Sequence, residues 1–111
     1  MKFTKLSGLP KVKASHCDFY KQVMIENEEV PNIFTFAQVT LEPGQVAPNH
    51  GHDGMYEIFL IEEGAAQIIT NGKQKIVAQK GTCVITEPDE THEVKNPYNE
   101  KVVITYFQSK V

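Results

Sequence analysis

At 111 residues and a formal net charge of −3, the chain suits one domain that buries about two thirds of its unfolded surface. Its scattered lysines form no basic face of the kind a phosphate backbone requires, which excludes a nucleic-acid partner. No apolar run approaches the roughly 20 residues needed to cross a bilayer, and residues 1–11 lack the apolar centre of a signal peptide, so a cytoplasmic protein without membrane contact is expected. Cys17 and Cys83 make no disulfide framework and are expected as free thiols, acting as small buried apolar groups.

Along the chain, short apolar runs alternate with turn residues and no helical periodicity develops, an all-β pattern. Residues 1–33 read as an N-terminal arm with a possible strand over 18–25, ending in a polar loop around Pro31-Asn32; residues 34–111 read as a barrel, one domain overall over 1–111. Strands are predicted over 34–42, 46–50, 57–62, 65–70, 73–79, 82–86, 92–95 and 102–107, separated by turn signals such as Pro43-Gly44, Lys80-Gly81 and Pro88-Asp89. Asn71-Gly72 is the strongest hairpin signal, because a two-residue type I′ turn needs positive φ at both positions. Eight strands suit a two-sheet roll or barrel.

Two strands are apolar on both faces. In the 57–61 stretch, Glu57, Phe59 and Ile61 share one side while Ile58 and Leu60 share the other. Val102, Ile104 and Tyr106 likewise oppose Val103 and Phe107. A sheet covered on both sides needs a folded-over terminal arm or a partner chain, and a homodimer is the expected answer.

The chemistry concentrates between Gly44 and Gly64. His50 and His52 are two apart, so on a strand both imidazoles project from one face and can meet one ion. Glu57 follows the Asp53-Gly54 corner, which allows it to fold back beside them. His92 lies on a later strand that pairing could bring across the roll. Three imidazoles and a carboxylate suit manganese, iron, nickel, cobalt, copper or zinc, and ligand type alone does not choose among these.

Other residues are weaker candidates. His16 reads as a surface histidine. Tyr56 should face away from Glu57, and Glu90, Glu93 and Asp53 read as solvated charges, although Asp53 could orient His52. Gln38, Phe36 and Tyr106 could line a pocket, subject to register, since a one-residue slip reverses the facing.

These residues resemble the two motifs of a small single-domain cupin. Gly44, His50, His52, Glu57 and Gly64 match the first motif at every spacing, and Gly81, His92 and Asn96 fall in place in the second. The second motif departs from the pattern at Glu87, where a proline is usual and Pro88 comes one residue late, and at Asp89, where a glycine is usual. The resemblance implies an all-β, single-domain jelly-roll β-barrel with a metal inside its mouth. It also implies that His50, His52, Glu57 and His92 hold one divalent transition metal ion per chain, leaving two octahedral positions open.

On that basis the expected function is metal-dependent catalysis on a small organic molecule, with dioxygenase-type chemistry foremost. No separate general base stands out. The alternative is a non-catalytic module that binds or senses a small, sugar-like molecule, its metal structural; four ligands could close the shell of a tetrahedral zinc. Sugar isomerisation or epimerisation ranks lower, because the 11 basic residues are all lysine and no arginine fork can grip phosphate or another strongly anionic ligand.

Overall fold

Residues 1–14, 17–51 and 54–111 are described by the computed structural model. The strands are β1 (Val12–Lys13), β2 (Tyr20–Ile25), β3 (Ile33–Leu41), β4 (Val46–His50) and β5 (Met55–Glu63). They are followed by β6 (Ala65–Thr70), β7 (Gln74–Gln79), β8 (Cys83–Thr86), β9 (His92–Lys95) and β10 (Val102–Lys110). Six form one sheet in the order β1-β2-β3-β10-β5-β8, and four form a second in the order β4-β9-β6-β7. All pairings are antiparallel. This is the all-β jelly roll expected from the spacing of the apolar runs.

Alternation sets the core. On β3, Ala37, Val39 and Leu41 are buried and their neighbours are not; on β5 the buried set is Glu57, Phe59 and Ile61. Val39, Leu41, Phe59 and Ile61 meet Ala66, Ile68, Ala78 and Val94 of the smaller sheet in one cluster, so the two sheets bury each other's inner faces. The β6–β7 hairpin turns at Asn71 (φ 52°) and Gly72 (φ 67°), the two positive values a type I′ turn requires. Where the second motif departs from glycine, Asp89 itself adopts φ 71°; a short polar side chain tolerates the left-handed region better than most.

The N-terminal segment adds to the larger sheet. β2 pairs with β3, and β1 with β2. The first residues then lie against the outside of β2, held by the Gln22 side-chain amide, which donates to the carbonyls of Leu6 (2.9 Å) and Leu9 (3.1 Å). The two-residue β1 carries too little pattern to be legible. Both cysteines are free, but Cys83 is exposed and Cys17 half-buried. The expectation of buried thiols is therefore corrected: Cys83 falls on the outward side of edge strand β8, where nothing covers it among the described residues.

Asn96 ties the bottom of the roll together. Its buried amide donates to Leu41 O at 2.9 Å and Glu100 O at 2.8 Å, and its side-chain oxygen accepts from Tyr98 N at 3.1 Å. Its backbone pairs with Gly44 and Gln45. Asn96→Ala is expected to lower stability by roughly 3 kcal/mol, at about 1 kcal/mol for each lost hydrogen bond, measured by urea unfolding.

Candidate metal centre

One inward row of the larger sheet is polar. Glu57 stands opposite Thr86 of β8 on one side and Gln108 of β10 on the other, and Gln108 stands opposite Thr35 of β3. All four residues are buried. Glu57 is held by its neighbours: the Gln108 amide donates to Oε2 at 2.6 Å, and Thr86 Oγ1 donates to the Glu57 backbone carbonyl at 3.2 Å. The other carboxylate oxygen, Oε1, lies 3.4 Å from His92 Nε2.

His92 reaches this row from the opposite sheet. It is 1 % exposed, with its ring edge-on to Phe59 at 5.3 Å between centroids. His50 is its cross-strand partner on β4, and the two rings are 4.4 Å apart. His50 is exposed at the rim. Its Nδ1 lies 2.7 Å from Pro48 O, a contact in which the nitrogen must be the donor, so that Nε2 carries the lone pair.

The structure thus brings together His50, Glu57 and His92, with one ligand atom from each within 4.8 Å of one another. Two imidazole nitrogens and a carboxylate oxygen are a donor set that fits a first-row divalent ion. A carboxylate as buried as Glu57, at 4 % exposure, is favoured as an anion when positive charge and hydrogen bonds offset its desolvation, and a bound cation would supply that charge. His52, Asp53 and His16 lie outside the described residues.

The cluster opens onto a cavity of about 570 Å³. Its walls are largely apolar, with Phe19, Val39, Leu41 and Ile104 among them; Lys21 from β2 also faces it. Tyr106 lines it as expected. Burial, and then the nearby Glu57 charge, push the Tyr106 phenol up to about 12, so it stays protonated at neutral pH and can donate a hydrogen bond. Phe36 and Gln38 do not line it: they occupy the outward positions of β3, where the Gln38 amide donates to Thr105 Oγ1 at 3.3 Å. The register places Ala37, not its neighbours, inside. Tyr56 is 40 % exposed and faces outward.

Gln108 was not legible as a site residue. It lies just past the predicted end of the last strand, and only its register against Glu57 reveals it. Gln108→Leu is expected to lower metal affinity between about 10- and 100-fold, the usual consequence of removing a hydrogen bond that orients a ligand, read by metal titration against a fluorescent chelator.

Residues 37–107, more than half of the chain, match the family model described as "Cupin domain". The "Oxalate-binding protein" of Thermotoga maritima is 33 % identical over 64 residues, which are 58 % of this chain and 52 % of that protein. The chain spans about half the length of this curated relative. A crystal structure described as a predicted oxalate decarboxylase, also from Thermotoga maritima, superposes with a TM-score of 0.90 over 100 % of both chains at 20 % identity. A Cupin 2 conserved barrel domain protein from Salinispora arenicola gives 0.78 over 100 % of this chain and 90 % of that one, at 22 % identity. KdgF from Halomonas sp. gives 0.81 over 100 % and 96 %, at 15 % identity. At such identities the structural likeness establishes the fold.

Proposed function

Because the chain belongs to the cupin family, we propose that it holds a divalent transition metal through His50, His52, Glu57 and His92 and uses it to bind a small oxygen-rich organic ligand. The observation that carries this reading is the convergence of His50, Glu57 and His92 on an apolar cavity of about 570 Å³. Bound there, the ion would supply Lewis acidity and, if redox-active, electron transfer, with two positions left for ligand or dioxygen.

The protein's own groups define what fits. Gln108 fixes Glu57 so that Oε1 faces the imidazoles. The Pro48 carbonyl fixes the His50 tautomer. The apolar walls exclude water and strengthen polar contacts inside. Tyr106 offers a neutral donor and Lys21 a positive charge. A small carboxylate would need no arginine fork in such a site, because a cation held by the histidines and Glu57 would supply the positive charge that binds it. The name of the Thermotoga maritima relative supports a short carboxylate such as oxalate as the first ligand to test.

Dioxygenase-type turnover of the bound molecule is the catalytic form of the proposal. Simple capture of the ligand is the second reading, supported by the same relative's name. Untagged protein purified without added metal or chelator should contain close to one equivalent of manganese, iron, cobalt, nickel or copper per chain. Oxalate should bind by calorimetry to the loaded protein and not to the chelator-stripped one. Equal binding to both forms would sink the metal-centred reading, and oxygen consumption with a bound acid would separate catalysis from capture.

A further inference from the structure

The cavity is larger than a ligand confined to the metal cluster requires. An acid as small as oxalate, held at His50, Glu57 and His92, fills a small part of its 570 Å³ or so, a volume typical of pockets that enclose far bigger molecules. The inward rows of the larger sheet show what faces the remainder. The first is the polar row of Thr35, Gln108, Glu57 and Thr86. The second carries Val23, Ala37, Tyr106 and Phe59 in register, and the third Lys21, Val39, Ile104 and Ile61.

Lys21 is the one charged member of that third row. Val39, Ile104 and Ile61 are buried in the core, and Lys21, half-buried, lines the cavity on the same side of the sheet. Its neighbour Gln22 points the other way and holds the N-terminal segment. Among the described residues no carboxylate pairs with the Lys21 amine. The acidic groups on the cavity wall are Glu57, at the metal cluster, and Glu26, which is exposed just past the end of β2. A cation set among apolar walls is stabilised by an anion that arrives with a ligand.

We propose that Lys21 binds a second acidic group of the ligand, so that the site selects a longer aliphatic diacid over the shortest ones. The proposal rests on the metal-centred reading above: one carboxylate sits at the cluster, the other at the Lys21 amine, and the methylene chain lies against Val39, Ile104 and Phe59. Tyr106, in the row between the two ends, has a hydroxyl to offer along the way. The length of the ligand follows from the sheet. The rows of Glu57 and Lys21 are four residues apart along the strands, about 14 Å, and their strands lie three spacings apart, about 14 Å more, on a sheet that curls round the cavity. The long lysine stem and the Glu57 side chain both reach inward across that span, which leaves roughly 5–10 Å for the ligand. An extended chain advances about 1.2 Å per bond, so oxalate cannot touch both ends and an acid of about four to eight carbons can.

The test is calorimetry on the full chain loaded with cobalt(II), using succinate, adipate and suberate, each beside the monoacid of equal length, with oxalate as the reference. At the best length the diacid should bind about tenfold or more tighter than its monoacid, the worth of a charge-assisted hydrogen bond. Lys21→Met keeps most of the stem and removes the charge. It should abolish the diacid advantage while leaving oxalate affinity and metal content within about twofold, because oxalate reaches only the cluster. Lys21→Arg should keep most of the advantage, with the best length shifted. A wild-type chain that binds diacid and monoacid alike at every length would overturn the assignment, as would an advantage that survives Lys21→Met, or a loss of oxalate affinity in that variant equal to the loss for the diacid. Failure of the underlying reading looks different: oxalate would then bind equally to cobalt-loaded and chelator-stripped protein, and both readings would fall together.

Discussion

Gly64→Ala is expected to destabilise the protein by roughly 4 kcal/mol or more, at the upper end of what single substitutions do. A β-carbon at this position would lie 2.3 Å from the carbonyl oxygen of Lys101 and 3.1 Å from Cα of Val102. Both obstacles are backbone, so no side chain can swing aside. The strand itself would have to move, and Val102 and Ile104 on that strand are fully buried in the core. Gly64 also sits at φ +78°, a conformation that costs other residues about 1–2 kcal/mol. Gly44 separates the two contributions, because it has φ +86° with no atom within 4 Å of an added β-carbon. Gly44→Ala should therefore lose only the conformational part, about 1–2 kcal/mol. Urea unfolding of both variants checks the prediction, and equal losses would mean that the close approach at Gly64 carries no energy.

That contrast also explains what the sequence could and could not reveal. Glycine spacing marked both positions as turns, but only the fold distinguishes the glycine that needs a special φ from the one that needs both φ and space. Alternation in 57–61 and 102–107 groups Phe59 with Ile61 and Val102 with Ile104 on one side of each strand, but both sides are apolar there, so only the fold tells that these residues face the core. It failed at Phe36 and Gln38, since 34–42 mixes apolar and polar residues on both faces and supports either register. The end of β10 was illegible for a related reason: Gln108 and Ser109 look like the start of a tail, yet Gln108 is 6 % exposed because it serves a carboxylate and not the apolar core. His92 was legible as a candidate ligand from motif spacing. Its direct pairing with His50 came only from the sheet register.

His50→Ala and His92→Ala should each reduce metal affinity by more than 100-fold, beyond the range seen when only a supporting hydrogen bond is lost, while leaving the barrel folded. The two variants should differ in the metal-free state, and the difference comes from burial. His50 stands exposed at the rim, so its removal leaves no void and should change metal-free stability by about 0.5 kcal/mol or less. His92 is 1 % exposed between Phe59 and His50, so truncation there opens a cavity and should cost about 2 kcal/mol or more even without metal. With metal present at about 1,000 times its dissociation constant, the wild-type protein should gain about 4 kcal/mol through linkage, and both variants should lose most of that gain. Thermal melts with and without a chelator read both quantities in one series. If His50→Ala kept its metal-dependent rise in melting temperature, His50 would not be a ligand, and the centre would have to be built from Glu57 and His92 with donors elsewhere. If the metal-free forms of the two variants melted together, the packing role assigned to the His92 ring between Phe59 and His50 would be wrong, although its place as a ligand could stand.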